Sequence, residues 1–424
     1  MSTSIAAELE RETLLKHPRF SCKLGKKNRT VFWTPTTVNL DHHVTVPEID
    51  SKTINFPDKY VEDYISNMTT TPLDLSKPLW ELHLLNIKTS EAESVGIFRI
   101  HHSIGDGASL ISLLLACTRK ASDPEALPTV PKFRKKRSAS GSSSNYSNMF
   151  CWVFLCIWSG LMFVFNTLVD TILFVGTILF LKDTKSPLKG ELGVENNTKR
   201  FIHRTVSLDD IKLVKDAMNM TINDVLLGIT QAALSRYLNR KYGEDENGGK
   251  SKEKASNLPK SIRLRASITA NVRTTAGIQD LADMMAKKSK TTRWAIIDRK
   301  KQSLESHFTF ACATLILQLF GPKIAAGLTR RVLFNTTLTF SNVVGPKEEI
   351  SFFGHPIAYV APSLYGLSQA LVIHYQSYVN KMTIIMAIDP NVILDPHCLC
   401  DDLEESLQLI RNAVTKKGLP ADVV

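Results

Sequence analysis

Between residues 95 and 116 the chain commits itself to one local topology. Val95, Ile97, Phe98 and Ile100 read as a short apolar strand. His101, His102, Ser103 and Ile104 then lead into Gly105-Asp106-Gly107, and from Ala108 to Ala116 the sequence is almost wholly apolar. Phe98 and Ile100 alternate with Arg99, so the spacing predicts a strand over 95–100 that buries one face. Side chains along a strand point to alternate faces, which groups His102 with Gly96, Phe98 and Ile100, and His101 with Arg99. One imidazole of the pair is therefore expected in apolar surroundings, where a neutral general base is useful. Gly105 and Gly107 permit a tight turn, and Asp106 is suited to cap the helix that follows.

Three readings of this segment stay open on the residues alone. A histidine pair at a strand end can be purely structural. His and Asp are also good metal ligands, but adjacent strand residues point apart and no third ligand lies nearby at helix or strand spacing. The third reading is catalytic.

Size and composition narrow the classes. A chain of 424 residues can bury two substantial cores, and 43% hydrophobic with 22% charged residues is ordinary for a folded protein. The net charge of +11 predicts attraction to polyanions: nucleic acid, an anionic membrane or a phosphorylated small molecule. Nucleic acid is disfavoured because the basic residues are scattered and no binding module is visible. Lys287, Lys288, Lys290 and Arg293 form a local patch that fits a phosphorylated substrate or an ordinary solvated helix face. Seven cysteines without framework spacing point to a reducing compartment. The amino terminus lacks the basic-then-apolar pattern of a signal peptide, and the carboxyl end carries no retention or prenylation signal.

Strand-like and helix-like patterns interleave along the chain, which predicts α/β layers. Residues 132–145 form a basic, Ser-rich linker. The most apolar stretch follows, over 149–181. As one helix it would span about 48 Å, longer than a hydrocarbon core of about 30 Å. Asn166 and Asp170 interrupt it. Lys132 to Arg137 before it and Lys182, Lys185 and Lys189 after it place both flanks on one side of a membrane. The expectation is a shallow hairpin or an interfacial helix pair; a buried core helix is the bland alternative. Further on, 208–218 and 222–238 read as helices, and 304–334 as a helix interrupted near Gly321-Pro322. Residues 263–270, 337–342, 370–375 and 382–388 read as strands, and 401–414 as a last helix.

His101-His102-Ser-Ile-Gly-Asp106-Gly107 resembles the HHxxxDG signature of coenzyme A-dependent acyltransferases. Other segments narrow the likeness to the plant branch of the wax ester synthase/diacylglycerol acyltransferase family: Pro72 to Glu81, Thr221 to Val225 with its Asn223-Asp224, Ser341-Asn-Val-Val-Gly-Pro346, Asn271-Val-Arg273, and Gly354-His-Pro-Ile357. The resemblance runs from about Leu14 to Leu409. Family members usually carry several tens of residues before the segment that here reads His17-Pro-Arg-Phe20. The first strand and helix of the amino-terminal half are therefore expected to be missing.

The resemblance implies an α/β fold of two chloramphenicol-acetyltransferase-like domains with a central tunnel, plus an apolar membrane-associated segment. The expected boundaries are 1–146 for the motif half, 147–182 for the apolar segment and 198–424 for the second half. It also implies transfer of a fatty acyl group from acyl-CoA to a long-chain alcohol, and to diacylglycerol. His102 is the expected general base, since a hydroxyl cannot attack a thioester without losing its proton and imidazole suits this near neutral pH. His101 and Asp106 are expected to be structural or orienting. Ser103, the next strand residue, should face away from His102 and is disfavoured as a nucleophile. Asn223 and Ser341 are candidate oxyanion donors, although Asn223 could equally cap the helix after it. No cofactor is expected beyond acyl-CoA as substrate. The expected partners are acyl-CoA, a lipid alcohol and a membrane surface, and the expected location is the endoplasmic reticulum membrane, with the plasma membrane second. A non-catalytic, shortened lipid-binding paralogue is the competing class.

Overall fold

The structure is a computed structural model that describes residues 15, 17–27, 30–50, 52–129, 146–246, 258–259, 261–269, 300 and 303–416. The linker at 132–145, Asn271 to Arg273, the 287–293 basic patch and both termini lie outside the described residues.

The amino-terminal part opens with an antiparallel hairpin, β1 (Cys22–Lys27) and β2 (Thr30–Pro35). A three-stranded sheet follows from β3 (Val44–Thr45), β4 (Trp80–Leu85) and β5 (Val95–Ile100), with helix α1 (Pro57–Met68) between β3 and β4. Alternation along β4 and β5 feeds two cores. Phe98 and Ile100 pack with Phe20, Trp80 and Leu82 on one face, while Val95 and Ile97 meet α1 through Val61 and Tyr64 on the other. The sheet is therefore covered on both sides, and the one-faced strand expected at 95–100 is corrected. Arg99 in particular, expected on the open face, is only 9% exposed. Its guanidinium reaches the Tyr365 hydroxyl (2.7 Å), the Glu81 carboxylate (3.3 Å) and the Thr71 carbonyl. A buried charge persists only when its donors are satisfied in this way.

Helix α2 (Gly107–Ala116) and the short strand β6 (Arg119–Lys120) complete this part, and the long helix α3 (Tyr146–Leu179) leads out of it. The remainder contains β7 (Arg200–Ser207), α4 (Leu208–Ala217), α5 (Ile222–Glu246), β8 (Ala266–Ile268), α6 (Glu305–Asn335), β9 (Leu338–Val343), β10 (Ile350–Phe352), β11 (His355–Pro356), β12 (Leu371–Tyr378), β13 (Lys381–Ile388) and α7 (Pro396–Lys416). Five strands form a mixed sheet in the order β7-β13-β12-β9-β8. Leu371, Ile373 and Tyr375 of β12, with Met382, Ile384 and Met386 of β13, turn one face onto Leu226, Ile229, Leu403 and Leu407 of the α5–α7 layer. Period-2 spacing on the strands and 3.6-residue spacing on the helices meet in this core. The last helix begins at Pro396, earlier than its apolar pattern indicated, because proline suits a first helical turn.

Two features join the parts. β6 pairs antiparallel with β10, Lys120 opposite Ile350, and Glu348 accepts from Thr129 (2.6 Å) while pairing with Lys120. On the far side Arg200 of β7 meets Asp63 of α1, and the Lys199 amide donates to the Thr69 hydroxyl.

The apolar segment is one continuous helix, α3, which corrects the expected hairpin or helix pair. It is not a core helix either, since Ile157, Trp158, Leu161, Phe165 and Leu168 are exposed. Its carboxyl end and that of α6 are tied together. Asp183, fully buried, accepts from the Arg265 amide (2.7 Å), the Arg265 Nε (2.6 Å) and the Thr337 hydroxyl (2.6 Å). Arg265 Nη2 then donates to the carbonyls of Leu181 (2.9 Å) and Asn335 (3.0 Å), and Asn335 Nδ2 donates to the Thr177 carbonyl (2.6 Å). Carbonyls left over at helix ends need donors, and one arginine serves both ends.

Asp183→Asn should lower unfolding stability by about 2–3 kcal/mol, less than the ~3–5 of a fully buried pair because Arg265 keeps 27% exposure. Urea denaturation of both proteins measures the difference.

Candidate active site

Trp80 sets the end of the motif strand. It lies opposite Ile100 in the β4–β5 register, and its indole N–H donates to the Phe20 carbonyl (3.0 Å). The buried His43 ring stacks on it at 4.3 Å and donates from Nδ1 to the Trp80 carbonyl (2.8 Å). Burial holds the His43 imidazole below its ordinary value. The ladder continues one residue past β5, with the His101 amide bonded to the Leu79 carbonyl (3.0 Å).

Beyond that point the strand stops. His102 sits in a turn closed by the Ile104 amide on the His101 carbonyl (3.0 Å), and both histidines are exposed. The face alternation that grouped His102 with Phe98 and Ile100 therefore does not extend to it, and the expected apolar surroundings are corrected. The backbone leaves the pleat before the second imidazole is reached.

Local contacts hold the turn. The Ser103 amide donates to His101 Nδ1 (3.2 Å), and the Ser103 hydroxyl lies 2.7 Å from the same nitrogen. An amide can only donate, so Nδ1 accepts and the neutral His101 ring carries its proton on Nε2. Burial of part of the ring, with His102 beside it, lowers the His101 pKa. Asp106 is the helix cap, its Oδ1 accepting from the Ser109 amide (2.9 Å). Ile104 is buried, and Arg19 clamps its carbonyl (2.8 Å). Neither Gly105 nor Gly107 adopts the left-handed conformation expected of tight-turn glycines. Gly105 instead packs closely on α2, where a Cβ would meet that of Ser109 at 3.3 Å.

The second cluster lies where the start of α5 meets β9 of the five-stranded sheet. Thr221 and Asp224 form a reciprocal box: Asp224 Oδ2 accepts from the Thr221 amide (3.0 Å) and hydroxyl (2.7 Å), and the Asp224 amide donates back (3.3 Å). The capping role considered for Asn223 thus belongs to Thr221. Asn223 is left to accept, through Oδ1, from Asn342 Nδ2 at 2.6 Å. Ser341, buried on β9, accepts from the Thr269 hydroxyl (2.9 Å), so its own proton remains to be donated. Gly345 lies so close to β12 that a Cβ would stand 2.0 Å from the Ser377 carbonyl oxygen and 2.5 Å from Gln376 Nε2. Only glycine fits there.

Three residues beside this cluster were missed from sequence. His374 stands opposite Ser341 in the β9–β12 register, and Gln376 stands opposite Thr383 across β12–β13. All lie on the sheet face away from the α5–α7 core. His374 Nδ1, Gln376 Oε1 and Thr383 Oγ1 are buried and make no hydrogen bond among the described residues. Burial pushes the His374 imidazole down to about 4. The available signal was a His and a Gln two positions apart on an otherwise apolar strand, which marks a face that is not ordinary core. Among the described residues, no hydrogen bond joins His102 to Asn223 or Ser341, and no group of three or more His, Cys, Asp or Glu side chains is placed to hold a metal ion.

Residues 3–226 match the family profile of the wax ester synthase/diacylglycerol acyltransferase catalytic domain, and residues 275–411 match that of the WS/DGAT C-terminal domain. The chain belongs to the wax ester synthase/diacylglycerol acyltransferase family. It is similar to wax ester synthase/diacylglycerol acyltransferase 11 of Arabidopsis thaliana, with 52% identity over 96% of this chain and 88% of the relative. The likeness to number 7 of the same plant is 45% over 99% and 93%. The solved wax ester synthase/diacylglycerol acyltransferase from Marinobacter aquaeolei VT8 shares the α/β fold, with a TM-score of 0.58 at 18% identity, covering 97% of this chain and 90% of that one. The chain is accordingly an acyltransferase of this family, and the HHxxxDG turn lies inside its catalytic domain.

The depressed His374 pKa carries a sign. Below its unfolded value of 6.5 the unfolded chain binds a proton that the folded chain refuses until about 4, so stability contributed by neutral His374 is present above 6.5 and lost as pH falls. Between pH 6.5 and 5 the parent should lose stability faster than His374→Gln, by up to about 1.4 kcal/mol per pH unit. Denaturant midpoints across that range test this.

Proposed function

We propose that this acyltransferase moves a fatty acyl group from acyl-CoA to a long-chain alcohol, with diacylglycerol as a second acceptor, and that His102 is its general base. In this scheme the acceptor hydroxyl oxygen attacks the thioester carbonyl carbon while its proton passes to His102 Nε2. The tetrahedral intermediate collapses, the carbon–sulfur bond breaks, and the departing thiolate takes the proton back. No acyl-enzyme is formed and no cofactor is required. Direct attack by the acceptor hydroxyl needs no nucleophilic serine, and the Ser103 hydroxyl lies 2.7 Å from His101 Nδ1 as part of the contact that holds the turn.

The observation that carries this reading is the turn itself. Asp106, whose Oδ1 accepts from the Ser109 amide, fixes the loop, and His102 is the motif imidazole without a structural hydrogen bond among the described residues. His101 is occupied with Ser103, which supports an orienting role for it. Asn223 and Ser341 are the proposed oxyanion donors. The contacts they make use their acceptor ends, so the Asn223 amide N–H groups and the Ser341 hydroxyl proton stay available for a developing negative charge. The two halves would meet His102 from opposite sides through a tunnel, with acyl-CoA entering at one mouth and the alcohol at the other.

A lipid alcohol resides in membranes, and helices α3 and α6 are both long and apolar enough to cross one by length and composition. We place the enzyme at the endoplasmic reticulum membrane with both halves on the cytosolic side. Lys182 and Lys185 immediately after α3 support that orientation.

Purified protein given labelled palmitoyl-CoA with hexadecanol or diacylglycerol should form wax ester or triacylglycerol, and His102→Ala should lower turnover by about 10²–10⁴ with the fold intact. Asp106→Ala should lose about 1 kcal/mol of stability as well as activity. Retention of near-parental turnover by His102→Ala would remove the base assignment.

A further inference from the structure

Helix α3 is built inside out. Asn166, Asp170 and Thr177 fall on one stripe of the helix and are 7%, 0% and 5% exposed, whereas Phe165, Leu168, Ile172 and Leu179 on the other faces lie open. A helix facing water shows the reverse order. The buried stripe meets polar partners: Asp170 pairs with Lys300 at 3.5 Å, and Thr177 accepts from Arg265.

Helix α6 is folded back on itself. The Leu304 amide just before it bonds to Thr167 of α3 (3.1 Å), and Asn335 at its far end bonds to Thr177 (2.6 Å). Those anchors are ten residues apart on α3, about 15 Å at the helical rise, while 31 residues run straight would cover about 46 Å. Gly321, with φ 79 and ψ 174, breaks the helix, and Pro322 follows it. The result is a V with arms of about 20–24 Å. Its tip carries the exposed Leu319 and Phe320, and its arms expose Phe310, Leu315 and Ile324.

We propose that α3 and the V of α6 form one wedge seated in a single leaflet of a phospholipid bilayer, without crossing it. The inference deepens the membrane part of the reading above. A protein partner covers one face of a helix, but here apolar side chains are open around most of the circumference of α6, which requires an apolar surrounding phase. Both ends of the V return to α3, so it cannot be a span. Lys323, directly after the tip, limits depth: its ammonium must stay within reach of the headgroups, as must Lys182 and Lys185 at the protein end of α3. The wedge therefore lies at a low angle in the interface.

The test uses the full chain without acyl-CoA or alcohol, so its outcome is independent of the transfer reaction. An environment-sensitive fluorescent amino acid replaces Leu168, Leu319 or, as control, the exposed Lys212 of α4. Phosphatidylcholine vesicles with a minor share of phosphatidylserine are then added, carrying bromine near either the head-group end or the tail end of the acyl chain. The probes at 168 and 319 should shift to the blue and be quenched more by shallow bromine, with 212 unchanged. Leu319→Glu combined with Phe320→Glu should weaken vesicle flotation about tenfold with an unaltered circular dichroism spectrum. Stronger quenching at 319 by deep bromine would overturn the single-leaflet placement. No response at 168 and 319 would overturn the bilayer as occupant, and a dimer in sedimentation would then assign the surface to a second copy.

Discussion

The Arg265–Asp183 pair is the contact on which the architecture turns. It gathers the ends of two long apolar helices and the starts of two sheet strands at one point, and everything beyond it projects outward. The energetic logic is local. Each helix end leaves carbonyls without donors, each is buried against the sheet, and one guanidinium with five N–H groups meets the demand. Asp183 then offsets the charge that this solution introduces. The pair acts together with the Asn335–Thr177 bond to hold the ends of α3 and α6 side by side.

A second constraint acts at the motif. The β4–β5 register is fixed by Trp80, whose indole is held by Phe20 and His43, and the ladder runs one bond further to the His101 amide. The turn then starts at His101, and Asp106 starts the next helix. The two histidines are thus divided by the geometry of a strand terminus, not by the faces of a strand: one is consumed by its own loop, and the other is left over. At the start of α5 the Thr221–Asp224 box plays a comparable part, taking over the helix cap so that the neighbouring Asn223 side chain is left to meet Asn342.

Much of this was legible in the sequence, for identifiable reasons. Strong period-2 runs such as Leu371 to Tyr375 and strong helical periodicity such as Ile222 to Leu238 gave the elements of the second half, and the Asp106 cap followed from residue chemistry. The failures have physical causes too. Alternation was carried through His101 and His102, but periodicity holds only while the pleat lasts. Arg99 was assigned to an open face because its partners, Thr71 and Tyr365, are remote in the chain and no local pattern reveals them. His374 and Gln376 stayed hidden within an apolar strand. The length of α3 was seen, but its continuity was not, because Asn166 and Asp170 read as interruptions until a buried polar stripe explains them.

The β6–β10 pairing has a consequence for how the molecule is made. Lys120 must find Ile350, 230 residues later in the chain. At a synthesis rate of about 5–20 residues per second, the first strand leaves the ribosome roughly 10–50 seconds before its partner exists. Throughout that interval a nascent chain carries a finished histidine turn beside an unpaired strand edge and an exposed apolar helix. Unpaired edges and exposed apolar surface of this kind are where nascent chains associate wrongly. A first half made without the second would keep the β6 edge open for as long as it lasts.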